Sequence, residues 1–186
     1  MALIRSQWRK LDPVSVAETD EAIKEWLKDF GETDIGRGVY VIRLARPYTI
    51  VYPKENRKSP VLYIGEGSTK KRLEKHLATW VRKFGRIIPS ALIDARVTEP
   101  RVQRNYNAYR EVEADLLSYF CEKYGSLPLF NSNREMFGTP NRYTRQFMQV
   151  LDPGRGRGYE WALTPLGNQD PTFSKCKPWR EVAVER

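Results

Sequence analysis

Apolar residues recur at two spacings along the chain, and these spacings predict helices and strands. Three stretches repeat apolar residues at helical intervals and are followed by a glycine, where helices commonly end. They cover residues 15–30, 69–84 and 107–124. Short β-branched and aromatic runs predict strands at 39–44, 48–52, 61–65 and 91–97. Their order predicts an α/β fold, an α+β sandwich in which helices flank a small mixed or antiparallel sheet.

Length and pattern together predict one domain over residues 1–186. A chain of 186 residues that is 40% hydrophobic can build a core of its own, and two full domains would be cramped. Regular periodicity weakens beyond Asn131, where prolines and the RGRG sequence predict irregular packed loops. We therefore divide the chain into a helical N-terminal extension (1–35), a core (36–133) and a C-terminal extension (134–186).

The sequence predicts a cytoplasmic protein without a membrane partner. No apolar run approaches the roughly 18 residues that cross a bilayer. The first ten residues also lack an apolar run of signal-peptide length. In that compartment Cys121 and Cys176 are expected to be reduced thiols, although the two could pair. With a single histidine, they provide no zinc-type ligand set.

The net charge of +9 is concentrated in one part of the chain. Residues 36–90 hold 13 basic and 3 acidic side chains, a local net charge of +10. Such an excess is typical of a surface that binds phosphates, but a solvated basic face would give the same count. Aromatic and basic residues also interleave farther along, as they do in nucleic-acid grooves. These residues are Arg104, Tyr106, Tyr109, Arg142, Tyr143 and Arg145.

Three residues on the predicted helices could carry chemistry. Arg72 and His76 are four residues apart and therefore share a helix face, beside the apolar stripe. An exposed arginine and an exposed histidine would show the same spacing. Glu113 falls on the apolar stripe of its helix, whereas Glu111 and Asp115 turn to the polar side. A carboxylate on a buried stripe must be paired, protonated or bound to metal.

Short motifs in one order along the chain resemble those of the GIY-YIG nucleases. Gly38-Val39-Tyr40 and Tyr63-Ile64-Gly65 are similar to the two motifs that name the family. Residues 70–77, KKRLEKHL, resemble its catalytic-arginine helix. EADLL at 113–117 and PLFN at 128–131 resemble the segments with its metal-binding glutamate and terminal asparagine. The resemblance covers about half the chain, and the 22 residues between Tyr40 and Tyr63 are more than in compact members.

The resemblance implies hydrolysis of phosphodiester bonds with Mg²⁺, or with Mn²⁺ as an alternative ion. Glu113 would hold the metal, and Arg72 would bind the non-bridging phosphate oxygens. Tyr40 is the candidate general base and Tyr63 would orient the attacking water. His76 would share the proton or pair with phosphate, so the choice of base between Tyr40 and His76 stays open.

Further residues complete the site that the resemblance implies. Asn131 matches the terminal asparagine, with Asn133 as the neighbouring alternative. The chain offers five basic residues as nucleic-acid contacts, and they are Lys70, Lys71, Arg104, Arg142 and Arg145.

These expectations combine into a metal-dependent DNA endonuclease, most similar to the type II restriction endonucleases of the superfamily. The substrate would be double-stranded DNA. Because one such site cuts one strand, we expect a homodimer on DNA and infer no other protein partner. Two alternatives stay open. One is a structure-selective repair or mobile-element nuclease, and the other is a non-catalytic nucleic-acid-binding protein on a degenerate nuclease fold.

Overall fold

The computed structural model describes residues 1–15, 24, 25, 27, 28, 37–154, 159–164 and 176–185. The strands are β1 Leu3–Ile4, β2 Arg9–Ser15, β3 Gly38–Leu44, β4 Tyr48–Val51, β5 Lys58–Ser59, β6 Val61–Gly67, β7 Leu92–Thr98, β8 Arg142–Thr144, β9 Trp161–Leu163 and β10 Ala183–Glu185. The central sheet is antiparallel and has the strand order β2-β7-β3-β6. Two smaller sheets have the orders β1-β8-β10 and β5-β4-β9.

The helices are α1 Thr69–His76, α2 Arg82–Ile87, α3 Ala108–Tyr124 and α4 Arg145–Met148. Helix α1 follows β6 and continues through a π-helical turn, Leu77–Val81, into α2. The long helix α3 follows β7 and packs against β6 and β3. It ends at Gly125, whose φ of 80° lies in the left-handed region that favours glycine. Short 3-10 turns lie at Lys54–Asn56 and Gln149–Leu151.

One hydrophobic core joins the central strands to both ends of the chain. Strand β3 is buried along nearly its whole length, which places it at the centre of the core. Leu11 from β2 and Phe147 from α4 belong to the same cluster of buried side chains. Both predicted extensions therefore pack on the central unit.

The architecture confirms the expected α+β class, and the sheet that carries the core is antiparallel. The predicted strands and the two long helices from residue 38 to residue 124 are present with small changes of boundary. Strand β2 had no counterpart in the sequence pattern, and it includes Ser15, the residue at which the first helix was predicted to begin. Residues 24, 25, 27 and 28 are helical, and the rest of the predicted first helix lies outside the described residues.

The expectation of two reduced thiols is wrong in this structure. Cys121 of α3 and Cys176 are joined by a disulfide bond. The expectation rested on the lack of an export signal, which says nothing about the distance between the two cysteines. In three dimensions the C-terminal segment crosses α3, and this brings Cys176 onto Cys121.

Asp115 is buried with 0% of its surface exposed, although the helical pattern placed it on the polar side of α3. Its carboxylate accepts hydrogen bonds from the backbone N–H of Asn141 at 2.9 Å and from the Tyr143 hydroxyl at 2.5 Å. It also forms an ion pair with Arg180, at 2.8 Å from Nε to Oδ1. The C-terminal extension therefore covers this side of the helix and satisfies the buried charge.

The last described residues are held on α3 by Ser118 as well. Its hydroxyl oxygen accepts hydrogen bonds from the backbone N–H groups of Trp179 and Arg180, both at 3.0 Å. Within the part of the chain that the structure describes, no helix is long and apolar enough to cross a membrane.

Candidate active site

Strands β3 and β6 place two tyrosines on one face of the central sheet. Tyr40 lies opposite Gly65, and Tyr63 lies opposite Ile42, so both phenol rings extend from the same face. Their ring centroids are 6.0 Å apart. A Cβ atom on Gly65 would lie 2.5 Å from the Tyr40 hydroxyl oxygen and 2.6 Å from the Tyr63 ring. Glycine is therefore the residue that lets both rings pack over this strand.

Helix α1 brings His76 onto the two phenols. The Nε2 atom of His76 lies 2.9 Å from the Tyr40 hydroxyl, and its ring centroid lies 4.5 Å from that of Tyr63. On its other side, the indole N–H of Trp80 donates a hydrogen bond of 2.8 Å to Nδ1 of His76. Trp80 in turn stacks on Phe130, with ring centroids 4.1 Å apart. We call Tyr40, Tyr63, His76 and Trp80 the aromatic cluster.

The Trp80 contact fixes the tautomer of His76. An indole N–H can only donate, so Nδ1 of His76 must offer its lone pair. Burial, followed by the charges of Arg72 and Lys75, lowers the pKa of His76 to about 4, so the imidazole is neutral at pH 7. A neutral imidazole with a free lone pair on Nδ1 carries its proton on Nε2. The Nε2–H group therefore donates to the oxygen of Tyr40 and cannot accept the proton of that hydroxyl.

The two tyrosines differ in exposure and in hydrogen bonding. Tyr40 has 0% of its surface exposed, whereas Tyr63 is partly exposed and is the phenol that meets solvent. Burial raises the pKa of both hydroxyls. The Tyr40 hydroxyl contacts Nε2 of His76, so the donors follow one direction from Trp80 through His76 to the oxygen of Tyr40.

Arg72 is on α1, and its side chain lies over the end of β6 beside this cluster. Gly67 has a φ of 107°, and a Cβ atom there would lie 3.5 Å from Nε of Arg72. The side chain of Arg72 therefore passes over a backbone position that favours glycine. Its positive charge lowers the pKa of Tyr40, Tyr63 and His76, which places all three within electrostatic range of the guanidinium.

Glu113 approaches the same cluster from α3. The residue is only 8% exposed, and burial is the main cause that raises its pKa to about 8. The charges of Glu66 and Glu135 raise the pKa further, while those of Arg72 and Arg110 lower it. Glu113 also raises the pKa values of Tyr40 and Tyr63. The helical stripe therefore located a carboxylate that is buried and electrostatically coupled to the tyrosines.

Two residues of this site, Arg110 and Glu66, were not identified in the sequence analysis. Arg110 lies one turn before Glu113 on α3, and its guanidinium carbon lies 4.4 Å from the centroid of the Phe137 ring. Its Nε atom is 4.0 Å from the carboxylate of Glu66. The spacing of Arg110 and Glu113, three apart on one helix, was the available signal. Glu66 directly follows the Tyr63-Ile64-Gly65 motif, and only its pairing with α3 identifies it.

The carboxylates fit a magnesium ion better than they fit a transition metal. Across the described ranges, no group of three or more His, Cys, Asp or Glu side chains could hold a metal together. Magnesium needs only one or two carboxylates because it keeps several waters and binds substrate phosphate. Glu113, together with Glu66, the neighbouring charge that raises its pKa most, supplies such a set. A buried carboxylate without an ion pair to a described residue is also the group that a cation would stabilise.

Asn131 supports the site without entering the aromatic cluster. Its side-chain oxygen accepts a hydrogen bond of 2.9 Å from the backbone N–H of Ile64, and its amide nitrogen donates one of 2.8 Å to the carbonyl of Ile64. The amide thus holds the strand between Tyr63 and Gly65. Asn133 is exposed and makes no such contact with the described residues.

The five basic residues expected to contact nucleic acid lie in three places. Lys70 and Lys71 are exposed on α1 beside Arg72. Arg104 is exposed in the loop before α3, with a positive φ of 61°. The other two lie on the C-terminal extension. Arg142 pairs with Glu185 at 3.1 Å, and Arg145 lines a cavity of about 620 Å³ with other basic side chains.

Comparison with protein families, with curated proteins and with solved structures finds no match to this chain. Any assignment of function therefore depends on the site itself.

Proposed function

We propose that the protein is a metal-dependent endonuclease that hydrolyses phosphodiester bonds in double-stranded DNA. The observation that supports this proposal best is the convergence of two phenols, a neutral imidazole, a guanidinium and a buried carboxylate. They come from β3, β6, α1 and α3, and they are Tyr40, Tyr63, His76, Arg72 and Glu113. The same residues carry the resemblance to the GIY-YIG nucleases. They can supply what phosphodiester hydrolysis needs, which is a base for the attacking water, positive charge at the phosphoryl oxygens and a ligand for a metal ion.

In the proposed reaction the tyrosine pair takes a proton from the attacking water. We assign this step to the phenolate of Tyr40, which forms by loss of the hydroxyl proton to solvent and whose oxygen receives a hydrogen bond from Nε2–H of His76. Burial opposes the phenolate, while the nearby guanidinium of Arg72 favours it. Water must reach Tyr40 past Tyr63, because Tyr63 is the exposed member of the pair. His76 holds the oxygen in place and stays neutral.

Charge develops on the phosphoryl oxygens as the bond to the leaving oxygen breaks. Arg72 is permanently charged and planar, so two of its N–H groups can bind two non-bridging oxygens at once. Lys70 and Lys71, exposed on the same helix, would bind neighbouring phosphates as point charges. Together these groups orient the backbone over the tyrosines.

Glu113 would hold the magnesium ion, with Glu66 as the nearest further carboxylate. The bound ion would supply positive charge to the leaving oxygen and help to neutralise the phosphate. Manganese prefers similar oxygen ligands and would substitute for it.

The extensions favour a sequence-specific enzyme of the restriction type over a bare nuclease core. They pack on the core and carry Arg142 and Arg145, which could contact DNA beyond the site of cleavage. A double-strand cut would then require a homodimer on DNA. We propose a cytoplasmic location for this activity. The disulfide between Cys121 and Cys176 would there face a reducing thiol pool.

The proposal is tested by nicking of supercoiled plasmid with Mg²⁺ and with EDTA. We expect cleavage only with the metal, and a loss of about 100-fold or more in Glu113→Gln and Arg72→Ala. Glu122→Gln and Arg86→Ala, exposed positions on α3 and α2, serve as matched controls and should cleave normally. Binding of DNA without cleavage in Mg²⁺ or Mn²⁺ would favour the non-catalytic binding protein.

The products separate the two kinds of nuclease. Discrete fragments from a long duplex indicate sequence recognition and a restriction enzyme. Cleavage only at flaps or branches indicates the repair or mobile-element alternative.

A further inference from the structure

A positively charged cavity lies on the face of the central sheet opposite Tyr40. Arg43 lies opposite Asp94 in the β3–β7 pair, and Val41 lies opposite Arg96. Because side chains alternate along a strand, both arginines project from the face opposite Tyr40. The cavity has a volume of about 420 Å³. Its lining includes Arg5, Trp8, Arg43, Arg96, Gln146 and Gln149, and we call it the arginine groove.

Two guanidinium groups of the arginine groove have a buried Nε atom without a hydrogen bond to a described residue, and they belong to Arg43 and Arg96. Arg43 donates from Nη2 to the carbonyl of Asp152 at 3.1 Å. Arg96 forms an ion pair with Asp94, 3.4 Å from Nε to Oδ1, and donates a hydrogen bond of 3.5 Å from Nη2 to Oδ2. Arg5 is exposed and has no hydrogen bond or ion pair with a described residue. Buried donors without a partner are uncommon in folded proteins.

The charges in the groove are also unbalanced. Three arginines face it, and Asp94 is the carboxylate beside two of them. Burial lowers the pKa of Arg43, and the positive charge of Arg96 lowers it further, while Asp94 raises it. The two like charges are therefore close enough to repel one another. An anion bound between them would relieve this repulsion and use the free N–H groups.

We propose that the arginine groove is a second phosphate-binding site, separate from the aromatic cluster. Planar guanidinium groups match phosphate oxygens in pairs, and the side-chain amides of Gln146 and Gln149 add neutral donors. Arg5 closes the site from the surface. The phosphate could belong to a nucleic-acid backbone or to a free phosphorylated molecule, and the chemistry that binds it is the same.

Two tryptophans report on the two sites separately in a ¹H–¹⁵N NMR titration. The indole N–H of Trp8 lines the groove and donates to the carbonyl of Phe147 at 2.9 Å, whereas that of Trp80 donates to His76. Inorganic pyrophosphate, added at constant ionic strength without metal, is the probe. We expect a saturable shift of the Trp8 signal, with affinity reduced at least about fivefold in Arg5→Gln.

Arg101→Gln is the matched control, because Arg101 is an exposed arginine that pairs with Glu99 and does not line the groove. Arg96→Gln provides a second variant and should also weaken binding. A Trp8 signal that does not move, or that moves equally in all variants, overturns the proposal. These readouts do not involve cleavage, so the proposal stands or falls independently of the nuclease activity.

A short DNA duplex in the same titration identifies the source of the phosphate. A shift of Trp8 that depends on Arg5 assigns the groove to a nucleic-acid backbone. If pyrophosphate shifts Trp8 and the duplex does not, the ligand is a free phosphorylated molecule. Both results support the phosphate site.

Discussion

The indole N–H of Trp80 donates to Nδ1 of His76 and thereby decides where the only histidine of the chain carries its proton. Because Nδ1 is engaged, Nε2–H faces the Tyr40 oxygen. Of the two candidate bases, Tyr40 and His76, our proposal therefore assigns the role to the tyrosine. In general, the hydrogen bond at one nitrogen of a neutral imidazole determines whether the other nitrogen donates or accepts.

We expect Trp80→Phe to raise the pKa of His76 above its value of about 4 and to reduce cleavage about tenfold. Phenylalanine keeps the stacking on Phe130 but removes the donor, so Nδ1 becomes free to bind a proton. NMR titration of the single histidine measures the pKa without any assignment problem. An unchanged pKa would mean that Trp80 serves packing alone.

Tyrosine-to-phenylalanine variants test which phenol is the base. We expect Tyr40→Phe to lower kcat at least about 100-fold and Tyr63→Phe to lower it less, because only Tyr40 contacts Nε2 of His76. The measurement is single-turnover cleavage at saturating DNA. A larger loss in Tyr63→Phe would move the base to the exposed phenol. Tyr106→Phe, at an exposed loop position, is the control.

Glu113 predicts a pH dependence of stability in metal-free protein. Its pKa is about 8 in the folded state, above the unfolded value of about 4.5, so the folded state binds the extra proton. The stability associated with this proton is therefore complete below pH 4.5 and is lost as pH rises towards 8 and beyond. Relative to Glu113→Gln, we expect wild type to lose on the order of 4 kcal/mol across this range. Urea unfolding in EDTA at several pH values measures it, and parallel curves for the two proteins would contradict it.

Gly65→Ala is expected to disrupt the aromatic cluster. A Cβ atom would lie 2.5 Å from the Tyr40 hydroxyl oxygen, so the ring must move and the contact with His76 is broken. We expect a loss of about 1–3 kcal/mol in the free energy of unfolding and a large loss of cleavage. Gly154→Ala is the control, since no atom lies within 4 Å of a Cβ there. Thermal unfolding and plasmid cleavage together measure the effect.

Cys176→Ser tests the disulfide that the sequence analysis did not expect. The bond closes a separation of 55 residues, and its removal should lower the free energy of unfolding by about 2–4 kcal/mol. Chemical denaturation with and without a reducing agent measures this. Wild type under reducing conditions should have the same stability as the variant. Equal stability of wild type and variant without a reducing agent would contradict the expectation.

The sequence predicted the elements whose signals are local. Strand β3, strand β6 and helix α3 each combine a regular apolar pattern with a clear end, and all three were found. Strand β2 was missed because its sequence, RKLDPVS, contains Asp12 and Pro13, which are poor strand formers. The structure accommodates them through a shift of register between Leu11 and Val14.

The motif resemblance named Tyr40, Tyr63, Arg72 and His76, whereas the apolar pattern by itself identified a site residue only where a residue conflicted with that pattern. Glu113 stood out as a charge on an apolar stripe, and it is indeed buried. Asp115 gave the opposite signal because its partner, Arg180, lies far away in sequence. Trp80 fits the apolar pattern of residues 69–84, and this pattern does not indicate that its indole N–H donates to His76. Such roles depend on tertiary contacts that helical periodicity does not encode.

The two buried carboxylates of α3, Glu113 and Asp115, face roughly opposite sides of the helix. One borders the aromatic cluster, and the other is clamped by Arg180 near the chain terminus. Residues 176–185 therefore brace the back of the helix that carries the proposed metal-binding acid. In our proposal, a substitution at Arg180 would affect cleavage from a position that contacts neither the metal nor DNA.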